Sequence, residues 1–333
     1  MDAFVKSFAT YRTVKKAAVI SSSLVLDSLE ADTSTVTVKG TAINRSDTGN
    51  WLIIDEEIYF ISAVKPQADR TMLTLVAPLD AFTRPLELDE QAEDQTVGRF
   101  IQEKLTAGWI QCSDAVYAMS YLMVSNSDTT AFLPPELDSD GCFSLSSYCR
   151  LMRKSYGLQV RFRDSGNTLV CAISRKTAAS RQVSFEDGRS QLQSVDYSSS
   201  GIAKITVLQD VSTNGGSTQR TRTDWYLSED GEISQTVPAR RAAGSWSKIS
   251  AKENDDVEAK VVAAFAKNKA NHKLEFWSTL DLDVQDSCKF LVYGEPLQSY
   301  ISYKRKSSED MRFYYKSGEL ATTATEKLRG VNK

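Results

Sequence analysis

Residues 51–61, WLIIDEEIYFI, decide how the first part of this chain folds. Two runs rich in β-branched and aromatic residues, 51–54 and 58–61, flank the acidic triplet Asp55-Glu56-Glu57. Such runs separated by a short polar interval predict two antiparallel strands joined by a tight turn. We therefore interpret the acidic triplet as a hairpin turn rather than as a catalytic carboxylate pair.

Similar short runs lie on both sides of this hairpin, at 35–38 (TVTV) and 72–76 (MLTLV). Turn-forming residues separate the runs at 44–50 (NRSDTGN) and 65–70 (KPQADR). Because the intervals are too short to hold crossover helices, the spacing favours an antiparallel barrel or sandwich over a βαβ array. We expect a small β-barrel over roughly residues 15–85 and assign an N-terminal β-barrel domain to residues 1–85.

The sequence changes character after the predicted barrel. An acidic stretch leads to apolar residues at helical spacing from Val97, with Thr96 placed as the N-cap. A second helix is predicted at 144–156, and Gly157 fits its C-cap. A hairpin around the turn sequence RDSGN follows. We assign a helix and helix–hairpin domain to residues 86–180.

The remaining sequence predicts two further regions. Strand-like runs indicate a second β-barrel portion at 181–250, in which residues 210–218 (DVSTNGGST) form an exposed loop. A helix at 255–268 and later strand-like runs predict a C-terminal helix plus β-strand module at 251–333. The predicted fold class is α+β and β-rich, with small antiparallel β-barrel domains and interspersed helices in a multidomain architecture.

Composition limits the classes of partner. The formal net charge is −3 and the sequence pI is near 5.5, which disfavours nucleic acid or an anionic membrane as the main ligand. We expect no signal peptide, and no apolar run approaches the roughly 20 residues that span a bilayer. The five cysteines are odd in number and scattered, which fits reduced, buried thiols in the cytosol.

The search for catalytic or metal-binding residues finds no convincing constellation. His272 is the one histidine, and it lies in a polar KANHK segment that is typical of a solvated loop. Cys142 and Cys149 lack the closely paired second set that a zinc site needs. Asp281 and Asp283 alternate as they would on an exposed strand face. We therefore predict no catalytic, cofactor-binding or metal-binding residues, and no cofactor.

The order of elements resembles that of a known family. Barrel, helix and helix–hairpin are followed by residues 183–188 (VSFEDG), more strands and a helix–strand module. This order is similar to that of hub proteins in bacteriophage tails, baseplates and related contractile injection systems. Residues 51–77 resemble the family's opening module, and residues 313–323 (FYYKSGELATT) are similar to its closing strand and turn.

The resemblance implies a structural, non-enzymatic subunit with a hub-like architecture. Such a subunit forms a ring, commonly threefold, that joins the tail tube to the tip and leaves a central channel for genome or effector passage. The implied partners are further copies of itself as a trimer, a tail tube or distal tail protein, a tape measure protein, and a tip spike or receptor-binding protein. Neither a membrane nor a sequence-specific nucleic acid is implied. The implied location is the virion tail tip, after assembly in the host bacterial cytoplasm.

Two other functions stay open at this point. A receptor- or carbohydrate-binding tail protein would present an exposed aromatic groove, for which Trp225, Tyr226 and Trp246 are the candidates. A cell-wall hydrolase would use paired acids such as Asp281 and Asp283. Two basic clusters indicate a solvated or inter-subunit face, or contact with DNA in a channel: Arg150, Arg153, Lys154, Arg161 and Arg163, and Lys304, Arg305 and Lys306.

Overall fold

A computed structural model describes residues 1–88, 95–177, 179–196, 202–212, 218–228, 233–239, 245–265 and 273–318. The chain divides into two compact units. The first contains Met1–Gln193 and Glu275–Ser317, and the second contains Ser194–Leu274 and Gly318–Lys333. The sequence-based division at residues 85, 180 and 250 is finer than this one, and it stays a prediction about folding units.

A closed six-stranded barrel opens the first unit. Its strands are β1 (Asp2–Lys6), β2 (Thr13–Ser28), β3 (Thr33–Lys39), β4 (Trp51–Ile54), β5 (Glu57–Pro66) and β6 (Arg70–Val76). The order is β1-β4-β5-β6-β3-β2, and antiparallel pairing of β1 with β2 closes the ring. Closure leaves no free edge within the barrel, and alternate side chains such as Leu52, Leu73 and Leu75 fill its core. The predicted N-terminal barrel is confirmed.

The β4–β5 hairpin has the geometry that its sequence predicts. Trp51 pairs with Phe60 and Ile54 pairs with Glu57, so Asp55 and Glu56 form a two-residue turn. Both turn residues adopt positive φ, 50° and 66°. These angles match the right-handed twist of the flanking strands, as in a type I′ turn.

Two helices and a small sheet follow the barrel. The helices are α1 (Val97–Leu105), capped by Thr96, and α2 (Leu145–Tyr156), which ends at Gly157 with φ 70°. A π-helical turn at Thr106–Ile110 continues α1. The predicted caps are confirmed. Strands β7 (Leu86–Glu87) and β9 (Cys142–Phe143) pair with each other, while β8 (Leu122–Asn126) pairs in parallel with β11 (Thr168–Arg175), the partner of β10 (Leu158–Ser165).

A second six-stranded set completes the first unit. It comprises β12 (Ser180–Ser184), β13 (Ser190–Asp196), β18 (Lys273–Ser278), β19 (Ser287–Val292), β20 (Glu295–Ser307) and β21 (Phe313–Ser317). Their order is β13-β18-β21-β20-β19-β12. The rings of Phe185, Phe276, Phe290 and Tyr315 pack together in its core. We call this set the second sheet.

The second unit is a sheet with one helix. Strands β14 (Ile202–Ser212), β15 (Thr218–Leu227), β16 (Ile233–Ser234) and β17 (Ser245–Lys252) follow the order β16-β15-β14-β17. Helix α3 (Val257–Phe265) packs on one face, where Val261 and Phe265 meet Ile205, Val207 and Trp225. The end of the predicted 255–268 helix and most of the predicted 210–218 loop lie outside the described residues.

Candidate functional site

Three parts of the first unit meet at the C-terminal end of α2. Arg153 forms a bidentate ion pair with Asp27 of β2, with Nη1–Oδ1 and Nη2–Oδ2 distances of 2.6 Å each. Both side chains are largely buried, at 16% and 24% exposure. A planar guanidinium that meets a carboxylate through two parallel hydrogen bonds fixes orientation as well as distance. Arg153 therefore holds the end of α2 against the barrel strand.

The same end of α2 is bound to the loop before β19. Gln285 Nε2 donates a 2.6 Å hydrogen bond to the carbonyl oxygen of Arg153. Nearby, Lys176 Nζ lies 2.9 Å from Asp286 Oδ1 and donates to the carbonyl oxygen of Val284 at 3.0 Å. We call Asp27, Arg153, Lys176, Gln285 and Asp286 the α2 junction. It connects the barrel, α2 and the second sheet.

The charged side chains of the α2 junction are paired with one another, and this pairing lowers the pKa of Asp286. Burial alone would raise the pKa of Asp286, but hydrogen bonds from Lys176 and from the amides of Asp283 and Ala179 hold that pKa below its ordinary value. Each cation of the junction has its own carboxylate, Asp27 for Arg153 and Asp286 for Lys176. With these charges paired, the junction fixes the position of α2 relative to the barrel and the second sheet.

Three of the acids considered from the sequence, Asp55, Asp281 and Asp283, are paired with lysines, and so is Asp255 just before α3. Lys304 Nζ donates to Asp281, and Asp283 Oδ2 lies 3.4 Å from Lys176 Nζ. Asp55 and Asp255 likewise pair with Lys306 and Lys260, at 3.7 and 2.6 Å. Asp281 and Asp283 thus have different lysine partners. His272 lies outside the described residues.

Two of the thiols lie in surroundings that disfavour metal binding and reactivity. Within the described ranges, no group of three or more His, Cys, Asp or Glu side chains is placed to hold a metal ion. Burial raises the pKa values of Cys149 and Cys288 to about 12 each. Such thiols remain protonated at neutral pH and are poor nucleophiles.

The two basic clusters consist largely of intramolecular ion pairs. Arg150 and Lys154 pair with Asp80 and Glu30, as Arg153 does with Asp27. In the other cluster, the partners of Lys304, Arg305 and Lys306 are Asp281, Asp32 and Asp55. Sequence reasoning missed these pairs because the α2 partners lie 70 to 126 positions away along the chain. Much of the positive charge is therefore neutralised within the protein.

The three aromatic candidates do not line one groove, which corrects the sequence-based expectation. Trp225 is 9% exposed and packs in the core beneath α3. Tyr226 and Trp246 both pair with Lys204, on the opposite face of the same sheet. Because neighbouring residues of a strand point to opposite faces, Trp225 and Tyr226 cannot act together.

The fold of this chain is similar to those of solved phage tail proteins. The prophage tail protein gp18 from Listeria monocytogenes is 10% identical, with a TM-score of 0.50 over 99% of this chain and 98% of that one. A chain of the phage P2 baseplate in its activated conformation is 12% identical, with a TM-score of 0.55 over 96% and 98%. A tail protein from Neisseria meningitidis is 11% identical, with a TM-score of 0.52 over 97% and 98%.

The fold is therefore that of phage tail and baseplate proteins, and the predicted resemblance is confirmed at the level of fold. No protein-family model and no curated protein sequence matches the chain. Among the described residues, no helix is long and apolar enough to cross a membrane.

Proposed function

We propose that this protein is a structural subunit of a phage tail tip or baseplate hub. It forms a ring of three copies that joins the tail tube to the tip and leaves a central channel for genome or effector passage. One observation carries the proposal: the tail and baseplate proteins share the fold over 96–99% of this chain and 98% of their own. Almost the whole chain is thus accounted for by a fold found in tail assemblies.

The surface of the first unit supports assembly. On β2 of the barrel, Val14 and Ile20 are 52% and 53% exposed, and on the second sheet Leu291 and Tyr300 are 42% and 44% exposed. We propose these two pairs of exposed apolar side chains, called the two patches below, as contact points, because burial of apolar surface drives association. When one patch on each copy meets a different patch on the next, the contact is head-to-tail, and it closes into a ring if the rotation permits.

The proposed partners follow from the same role. They are further copies of this chain, a tail tube or distal tail protein, a tape measure protein, and a tip spike or receptor-binding protein. The proposed location is the virion tail tip, with assembly in the host bacterial cytoplasm. A non-catalytic role is supported by the ion-paired acids Asp281 and Asp283 and by the protonated thiols of Cys149 and Cys288.

Light scattering on the purified protein, followed by negative-stain imaging of the same sample, tests the proposal. We expect a mass of three copies of the 37.0 kDa chain, and particles with a central hole. The measurement is repeated over a hundredfold range of concentration, because weak ring contacts dissociate on dilution. A monomer at every concentration, which also fails to form rings with a tail tube or distal tail protein, would contradict ring formation.

A further inference from the structure

The second unit carries a polar sheet face that the tail role does not explain. One face of the β14–β17 sheet is covered by α3, and the other presents alternate residues of three strands. Pairing places them in rows across the sheet: Tyr226-Lys204-Trp246, Asp224-Thr206-Lys248, Arg222-Leu208-Ser250 and Arg220-Asp210-Lys252. We call these twelve residues the outer face. Its five cations and two acids give it a positive balance, while the whole chain is at −3.

A single aromatic ring is held in a fixed position on the outer face. The indole of Trp246 is 60% exposed, yet its Nε1 donates a 2.8 Å hydrogen bond to Thr206 Oγ1. Thr206 is 3% exposed and donates in turn to Asp224 Oδ1 at 2.6 Å. A tryptophan ring held in place on a surface is a typical anchor for a bound partner. Because the indole N–H of Trp246 is already hydrogen-bonded to Thr206, the orientation of the ring is fixed. Its exposed face is an apolar surface on which a ligand can pack.

Charged groups surround this platform. Lys204 Nζ lies 2.8 Å from Asp224 Oδ2 and 5.3 Å from the ring centroid of Tyr226. Arg222 also contacts Asp224, at 3.3 Å, and is 63% exposed. Lys248, in the row next to Trp246, has no carboxylate within 4.0 Å among the residues that the structure describes. Lys252, in the last row, likewise has no such partner among the described residues, so Lys248 is distinguished by lying in the row next to Trp246.

We propose that the outer face binds an acidic polysaccharide. A sugar ring has one apolar C–H face that packs on the indole of Trp246, and its hydroxyl groups supply neutral hydrogen-bond donors. Lys248 and Arg222 pair with the acid groups of the chain. The proposal does not depend on ring formation by the first unit.

The acids on the outer face favour a polysaccharide over a nucleic acid. A DNA strand has no sugar hydroxyl along its backbone that could donate a hydrogen bond to Asp224 or Asp210. Sugar hydroxyls instead donate to carboxylate oxygens, so the same two acids add contacts. Lys204 already covers the ring of Tyr226, which leaves Trp246 as the one open platform rather than a row of stacking sites.

The test measures binding of the purified full chain to polygalacturonate, dextran sulfate, neutral dextran and oligodeoxythymidylate by biolayer interferometry. We expect both acidic polysaccharides to bind, with affinity that falls as salt is raised, and neutral dextran to bind much more weakly. Trp246→Ala should weaken binding about fivefold or more, as truncation of an aromatic anchor does. Lys248→Ala should weaken binding and reduce its salt dependence.

Matched variants away from the outer face separate this site from general surface effects. Tyr293→Ala removes an aromatic ring that is 85% exposed, and Lys289→Ala removes an exposed lysine, both on the second sheet. Neither should change polysaccharide binding. Circular dichroism and thermal melting confirm that each variant is folded. The proposal is overturned if neither acidic polysaccharide binds, if Trp246→Ala binds as the wild type does, or if oligodeoxythymidylate binds more tightly than both.

Discussion

The barrel and the second sheet each contain six strands, but the chain builds them in different ways. The barrel uses one continuous segment, from Asp2 to Val76. The second sheet uses two segments, Ser180–Asp196 and Lys273–Ser317, with the whole β14–α3 module between them. Neighbouring strands in the barrel are mostly neighbours in sequence, so turns and period-two patterns specify it. The second sheet contains the local pairs β19–β20 and β20–β21, but its β13–β18 and β12–β19 pairs join distant segments, which no local pattern encodes.

One strand belongs to both structures. β2 pairs with β1 through Thr13–Ala18, with β3 through Val19–Ser23, and with β20 through Ser23–Ser28. A strand that lies in two sheets transmits the loss of one to the other. We therefore expect the barrel and the second sheet to unfold together, although one is built from neighbouring strands and the other from distant segments.

The largest expected effect is on assembly. Ile20→Glu on the barrel and Tyr300→Glu on the second sheet each place a charge in one apolar patch, and each should abolish rings. If the two patches meet head-to-tail, a mixture of the variants retains one intact interface and should form dimers, as measured by light scattering. The exposed control Val237→Glu should leave rings intact. A mixture that stays monomeric would show that the two patches do not contact each other.

The next effect is on stability. Leu52→Ala in the barrel and Phe276→Ala in the second sheet remove side chains that are fully buried, and each should cost about 3–5 kcal/mol of unfolding free energy. Because β2 joins the two structures, both variants should lower the same thermal transition. Differential scanning calorimetry distinguishes the alternatives. Separate shifts, one transition for each variant, would show that the barrel and the second sheet unfold independently.

The α2 junction should matter more than an exposed ion pair. Arg153→Met leaves the largely buried Asp27 without its partner, so we expect a loss of about 2–3 kcal/mol in urea unfolding. The control is Arg99→Gln, which removes an exposed i,i+4 pair with Glu103 and should cost about 0.5 kcal/mol or less. Equal losses of unfolding free energy for the two variants would mean that the α2 junction does not hold α2 against the barrel.

Acid should weaken the same junction. The folded-state pKa of Asp286 lies below its ordinary value of 3.8, so the unfolded chain binds a proton at higher pH than the folded chain. This carboxylate therefore contributes stability above pH 3.8 and loses it as the pH falls through the lowered pKa. Asp286→Asn should flatten that decline when urea unfolding is followed from about pH 5 to pH 3. An unchanged slope would assign the acid sensitivity to other groups.

The smallest effects concern the two hairpin turns. Tyr293 and Gly294 join β19 to β20 with φ of 52° and 85°, as Asp55 and Glu56 join β4 to β5 with φ of 50° and 66°. A bulky side chain at positive φ is strained, so Tyr293→Asn and Glu56→Gly should each stabilise by about 1 kcal/mol. Thermal melting checks both. A lower melting temperature for Tyr293→Asn would mean that the exposed ring contributes contacts of its own.

Much of the barrel was accessible from sequence for a physical reason. The β-branched and aromatic runs in 51–61 form the strands that they predict, and the polar turn between them is dictated by the two-residue connection. Thr96, Ser144 and Gly157 cap helices through bonds within a few residues of themselves. Each of these features depends only on near neighbours in the chain.

The candidate sites were less accessible. Arg153 appeared as one member of a basic cluster, because its partner Asp27 comes from a distant strand. Trp225 and Tyr226 appeared as two members of one groove, although adjacent strand residues lie on opposite faces and only the position of α3 decides which face is covered. The hydrogen bond from Trp246 to Thr206 could not be predicted either, because it depends on the parallel pairing of β14 with β17.

The sequence by itself determined a β-rich chain with an N-terminal barrel, two capped helices and few groups suited to catalysis. It did so because alternation, turn chemistry and capping act over a few residues. Only the tertiary structure decided that strands 76 residues apart in the chain would share the second sheet, that the basic residues of α2 would meet acids of the barrel, and which tryptophan would face solvent. Those outcomes depend on contacts between distant segments, whose partners are chosen by packing of the whole chain.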